Sequence, residues 1–270
     1  MKKMIKIFAT ISVISLLTVN CDEDRGFIIM PIGQEVQMGN SLDSAIKADQ
    51  ANYPILSESA YPEVYEMLNN MMSDILNNSA EPLKYKDRFN WDITVIDQDV
   101  LNAFAAPGGK LYFYTGLIKY LDDASQLAGV LGHEMAHADL RHSARQMQKD
   151  YGLNIAASII FGSDPSAVEE ILVGIGTGVA GLKFSRNDEY QADEFGVRYL
   201  YGTNYDPRGG AGFFEKLVAE GGGSQTWEVL STHPDSQDRV DRIYETWRSL
   251  GSETGETYAS EYAQVKASLP

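Results

Sequence analysis

The twelve residues LGHEMAHADLRH, 131–142, decide how this chain is read. They hold three of its four histidines and place Glu134 directly after the first of them. His133 and His137 stand four residues apart, and on an α-helix such positions share a face, so both rings can point at one metal ion. Glu134 lies one residue beyond the first histidine, where its carboxylate reaches water at the ion rather than the ion itself. The plainer alternative is a helix that happens to carry histidines, so the surroundings have to decide. Asp123-Ala124-Ser125-Gln126 has the form of a capping box, starting a helix that the pattern carries to about Lys149. His142, five residues after His137, is turned off the shared face and reads as structural.

A catalytic zinc needs a third protein ligand and an open fourth position. SRNDEYQAD, 185–193, offers Glu189 and Asp193 on one face of a further helix that runs to about Tyr201 and is closed by Gly202. Glu189 is the candidate third ligand. Asp193 is placed to accept a hydrogen bond from the far ring nitrogen of a ligand histidine and so to fix its tautomer. Taken without the histidines, the two acids would be a solvated face.

The rest of the chain supports a mainly helical α+β domain with a small sheet. NWDITVID, 90–97, alternates like a strand, and LNAFAAPGGKLYFYTG, 101–116, reads as two short strands joined around Pro107-Gly108-Gly109. Val64, Met67, Leu68, Met71, Met72 and Ile75 form a helical stripe. Leu153 to Phe161 and Ile171 to Leu182 are apolar but too short to span a bilayer, and read as buried helices or a flap over the site. A glycine-rich loop, Gly221 to Gly223, precedes an amphipathic helix at Gln237 to Leu250. The expected organisation is a signal segment over 1–20, a tether over 21–45, one domain over 46–250 and a polar tail over 251–270. With 44% apolar and 22% charged residues in 270, the chain is ordinary for a globular protein.

The opening MKKMIKIFATISVISLLTVNC places three lysines before an apolar run and then the only cysteine. That is the form of a secretory signal, and Cys21 at its end resembles the lipidated cysteine of bacterial lipoproteins. The expectation is an envelope protein held at a membrane, most simply the outer one, through a lipid on Cys21. Loss of the first 20 residues removes Lys2, Lys3 and Lys6 and no acid, leaving 19 basic against 38 acidic residues and a charge of −19. So acidic a body argues against nucleic acid as a partner and against docking on anionic headgroups by charge.

The order NAFAAPGG (102–109), GHEMAHADLRH (132–142), SRNDEYQAD (185–193) and STHPDSQDR (231–239) resembles the HtpX/BepA/LoiP-type zinc endopeptidases, a family that also contains the CAAX prenyl endopeptidases. The resemblance spans roughly residues 50–248. It implies a gluzincin fold with one zinc on His133, His137 and Glu189, Glu134 as general base on zinc-held water, and polypeptide substrates, with misfolded or misassembled envelope proteins as the expected class. It also implies that His233 lies near the metal, as an oxyanion donor or as a resting-state ligand that keeps the enzyme latent. Arg239 matches the family's arginine, binding substrate carbonyls or steadying its loop. Asn102, Ala103, Phe104 and Ala105 would be an edge strand that a substrate extends through main-chain hydrogen bonds. The residues oppose three rival readings. A chaperone-like zinc binder is opposed by the intact Glu134, and a purely structural zinc by the lack of cysteines in the body. An aminopeptidase is opposed by the lack of an acidic motif to grip a free N-terminus.

Overall fold

The computed structural model describes residues 28–161, 171, 184–219 and 236–270. Their elements, in chain order, are α1 (Ile32–Ala48), α2 (Pro62–Asn78), β1 (Asp92–Ile96), β2 (Ala103–Ala106), β3 (Lys110–Tyr114), α3 (Thr115–Tyr120), α4 (Ala124–Asp139), α5 (His142–Phe161), α6 (Arg186–Leu200), α7 (Gly209–Ala219), α8 (Ser236–Ser249) and α9 (Ala259–Ser268). The fold is α+β, as the patterning predicts.

The three strands form a mixed sheet in the order β1-β3-β2. β1 runs parallel to β3, with Asp92 opposite Lys110, and β2 runs antiparallel to it, with Ala103 opposite Phe113. Gly108 and Gly109 turn the hairpin at φ 76° and 89°, a region closed to most side chains. Because strand side chains alternate, the sheet sorts its residues cleanly between two cores. Ile93, Val95, Ala103, Ala105, Leu111 and Phe113 join α2, α4 and α6 in the larger core. Ile96, Phe104, Tyr112 and Tyr114 face the other way, onto Met38, Leu42 and Ile46 of α1.

That second core corrects the expected tether. α1 begins at Ile32, inside the segment 21–45, and its buried stripe packs on one face of the sheet together with Tyr53, Met147, Ile171 and Phe184. The expected tail is corrected too: residues 259–268 form α9, whose Tyr262 is fully buried and donates to the Ile118 carbonyl at 2.6 Å. Lys266 adds a 2.6 Å bond to the Leu121 carbonyl. Both end segments read as polar because only a few of their residues face inward, and periodicity is weak over so few contacts.

α4 is the axis of the domain, and every one of its residues is buried. Asp123 caps it, its carboxylate accepting from Gln126 N at 3.0 Å. Glycines let its neighbours approach. A Cβ on Gly129 would stand 2.2 Å from Gly210 N of α7, and one on Gly196 of α6 would stand 3.1 Å from His133 N. The helix ends at Asp139 rather than near Lys149, because Arg141 adopts a left-handed φ of 62° and the chain restarts as α5. Asp139 is buried at that end, where it accepts from Tyr199 Oη of α6 at 2.7 Å and from the backbone N–H groups of Lys84 and Tyr85. The second half of α5 contains the apolar piece Leu153–Phe161, and Ile171 is buried. Residues 1–27 with Cys21, 172–183, the loop Gly221–Gly223 and His233 lie outside the described residues.

Candidate metal centre

Two helices supply the site. α4 carries His133 and His137 one turn apart, and the close Gly132–Gly196 crossing brings α6 alongside with Glu189 in its first turn. α6 starts there because Ser185 and Asp188 form a reciprocal capping box. An acid in the first turn also suits the helix dipole, which helps a buried carboxylate at that position.

His133, His137 and Glu189 converge as a buried trio whose ligand atoms lie within 4.8 Å of one another. The two Nε2 atoms are 2.9 Å apart. Glu189 Oε2 lies 3.5 Å from His133 Nε2, and Oε1 lies 3.4 Å from His137 Nε2. Ligands at zinc distances of about 2.0–2.1 Å in a tetrahedron stand roughly 3.3 Å from each other. The observed separations bracket that value, and two imidazoles with one carboxylate are the donor set of a three-ligand zinc site. The residues fit the metal.

Around the trio the charges are tightly arranged. Asp193 Oδ1 lies 3.0 Å from His133 Nδ1, the nitrogen turned away from the trio. Arg239 of α8 is fully buried, and its Nε and Nη2 donate to the two Asp193 oxygens at 2.6 Å each. Its Nη1 lies 2.9 Å from Glu189 Oε2. Burial pushes the Asp193 carboxyl up, but Arg239 and His133 outweigh it and hold the group below its ordinary value. Burial and Arg239 push His133 down, yet its bonds to Asp193 and Glu189 prevail and lift it to about 9. His142 is driven the other way, to about 3, by burial and by the neighbouring His137.

Glu134 is buried beside His133, and both line an apolar cavity walled by Leu117, Val130, Val197 and Phe213. Of the expected edge strand, Asn102 and Ala103 reach this cavity. Phe104 does not: it stacks on Tyr112 at 4.5 Å in the opposite core. The carbonyl of Ala105 already accepts from Ser143 Oγ at 2.7 Å, so a peptide adding to this strand is limited to its first residues. Arg239, expected on substrate carbonyls or steadying a loop, is committed to Asp193 and Glu189, which corrects the substrate role. His233 lies outside the described residues.

His142 stands outside the ligand trio, as its spacing suggests, yet it lies closer to the trio than that spacing implies. Its Nδ1 lies 3.1 Å from His137 Nδ1, directly behind a ligand-trio ring. Five-residue spacing turns a residue away only if one helix carries both, and here α4 ends between them. Phe184, stacked on the His137 ring with centroids 3.9 Å apart, gave no signal in the sequence at all.

A family model described as Peptidase family M48 matches residues 66–247. The beta-barrel assembly-enhancing protease of Escherichia coli (strain K12) is 28% identical over 221 residues, covering 78% of this chain and 43% of that protein. Metalloprotease YcaL of the same organism is 31% identical over 170 residues, 62% of this chain and 63% of YcaL. The mitochondrial metalloendopeptidase OMA1 of Arabidopsis thaliana is 31% identical over 150 residues, 56% of this chain and 30% of OMA1. The chain thus spans less than half the length of the beta-barrel assembly-enhancing protease. The family match takes in α4, α6 and α8, the helices that build the trio and its charged surround, and the chain belongs to peptidase family M48.

Proposed function

We propose that this chain is a zinc-dependent endopeptidase acting on exported polypeptides, with misfolded or misassembled envelope proteins as its substrate class. The observation that carries the reading is the buried convergence of His133, His137 and Glu189 with Glu134 beside them on α4. Bound there, zinc would supply the Lewis acidity that polarises a scissile carbonyl and brings the pKa of water to about 7. The chain's own groups do the remainder. Glu134 takes a proton from the attacking water and returns it to the departing amine, a role for which burial next to the trio suits it. Asp193 keeps the His133 proton on Nδ1, leaving Nε2 bare. Arg239 offsets the buried charge of Asp193 and Glu189. Asn102 and Ala103, at the cavity wall, position the substrate main chain. His233 is the proposed donor to the developing oxyanion, a role that rests on the family resemblance.

The name of the beta-barrel assembly-enhancing protease supports an envelope substrate. The N-terminal apolar run and Cys21 support a lipid anchor in the envelope. No described helix is long and apolar enough to cross a membrane. The test is cleavage of casein by the full chain loaded with zinc, beside Glu134→Gln. Cleavage by the parent alone is the expected result. Equal cleavage by both would refute the role of Glu134, and silence from a zinc-loaded parent would favour a chaperone-like binder.

A further inference from the structure

We propose that His142 is a positioning residue that accepts the Nδ1 proton of His137 and so holds that ring in the tautomer able to bind metal. The inference rests on reading His137 as a zinc ligand and goes beyond it, because it concerns a residue outside the trio.

The geometry leaves few alternatives. His142 Nδ1 and His137 Nδ1 are 3.1 Å apart, and both residues are buried. Two ring nitrogens at that distance share one proton, so one donates and the other accepts. If His142 donated, His137 Nδ1 would be bare and its ring proton would sit on Nε2. That nitrogen faces His133 Nε2 at 2.9 Å and Glu189 Oε1 at 3.4 Å, and protonating it would close it to a metal. A metal-competent site therefore needs His137 as donor and His142 as acceptor, with the His142 proton on Nε2.

The surroundings favour that arrangement. His142 Nε2 is buried with no hydrogen-bond partner, and the nearby Asp188 Oδ1 lies 3.6 Å away, where its negative charge favours a proton on Nε2. Asp188 is itself held in place. Its Oδ2 accepts from Ser185 Oγ at 2.7 Å in the capping box that starts α6, and its Oδ1 accepts from Arg145 at 2.9 Å. The carboxylate that begins the helix bearing Glu189 thus also sets the proton on the histidine behind His137. Phe184, stacked on His137, restrains the plane of the ring while His142 fixes its rotation.

The test uses the full chain with His142→Leu and His142→Gln, measuring zinc affinity by competition with a fluorescent chelator. The melting temperature of the zinc-free proteins tracks structural damage separately. Removing the acceptor should weaken zinc about 10–100-fold, the usual effect of losing a group that orients a ligand. Gln presents a carbonyl oxygen to the same proton and should restore affinity to within a few-fold of the parent. Equal losses for Leu and Gln, or a Leu variant that binds like the parent, would overturn the proposal. If His142→Leu does not fold, long-range proton–nitrogen spectra of the zinc-loaded parent decide. His142 should be protonated on Nε2 and bare on Nδ1, and a proton found on Nδ1 would overturn the assignment. A parent that binds no zinc overturns it together with the reading of the trio. A parent that binds zinc but cleaves nothing leaves this test intact.

Discussion

Arg239→Met isolates the charge that the buried site depends on. Methionine keeps an unbranched apolar stem but ends where the guanidinium begins, so the stacking of that group on Phe214, its carbon 4.0 Å from the ring centroid, goes with the charge. What disappears is a cation that donates at 2.6 Å to each Asp193 oxygen and lies 2.9 Å from Glu189. Neither carboxylate has water to turn to, since both are buried. Removing one partner of a buried ion pair costs about 3–5 kcal/mol, chiefly because the other charge is stranded. His133 still faces Asp193 with Nδ1 at 3.0 Å, and this remaining partner moves the expectation toward the lower end. At roughly 2–4 °C per kcal/mol for a chain of this size, a loss of about 3 kcal/mol lowers the melting temperature by about 6–12 °C. The assay is thermal unfolding in excess chelator and again in excess zinc. Zinc brings positive charge to Glu189, so the deficit should shrink in its presence. The double variant Arg239→Met with Asp193→Asn should lose less than the sum of the two single changes. A loss below about 1 kcal/mol in chelator, or strict additivity in the double variant, would refute the assignment of Arg239 as the neutralising charge.

Gly129→Ala places a methyl 2.2 Å from Gly210 N, so α4 and α7 must part; urea unfolding should show a loss near the upper end of about 1–3 kcal/mol, with weakened zinc binding because α4 carries two of the trio. Glu134→Gln should retain zinc in a chelator competition while losing proteolysis, since Glu134 stands outside the trio. Tyr205 is lifted to about 12 by burial and then by the nearby Asp74. The folded value is the raised one, so the contribution of this group to stability is whole below its ordinary pKa of about 10 and is lost as pH climbs toward 12. The difference in absorbance titration between the parent and Tyr205→Phe should be centred near pH 12, and a midpoint near 10 would contradict the placement of the ring.

The sequence made the site legible because its signals are local. A two-histidine turn needs only helical periodicity, and Ser185-to-Asp188 capping announces the start of α6 from four consecutive residues. The strands could be read for the same reason: β2 and β3 alternate across a Pro-Gly-Gly turn that demands left-handed backbone. What could not be read are contacts between elements distant in the chain. α1 looked like a tether because its apolar residues are sparse, yet the sheet has a second face that must be covered, and Gly39 lets α1 lie against Pro107 so closely that a Cβ there would stand 1.9 Å from its carbonyl oxygen.

The end of α4 shows the difference most sharply. Nothing in DLRH breaks a helix by propensity, for Leu, Arg and His are all tolerated in helix interiors. The break comes from tertiary bonds. Arg141 turns to donate to Glu35 at 2.6 Å and to the Met30 carbonyl, while Asp139 is drawn to Tyr199 and to the backbone at 84–85. Glu35 is wholly buried, and burial outweighs Arg141 in lifting its pKa, so the Arg141 bond, with a backbone bond from Gly108, counters part of that desolvation. These contacts spend the last residues of α4 on anchoring α1 and α6, and the reversal they impose swings His142 back onto His137. A continuous helix would have carried His142 about 140° around the axis from His137, as its spacing suggests. The terminus of the helix is thus part of the metal centre, because ending it at Asp139 is what puts an imidazole behind His137.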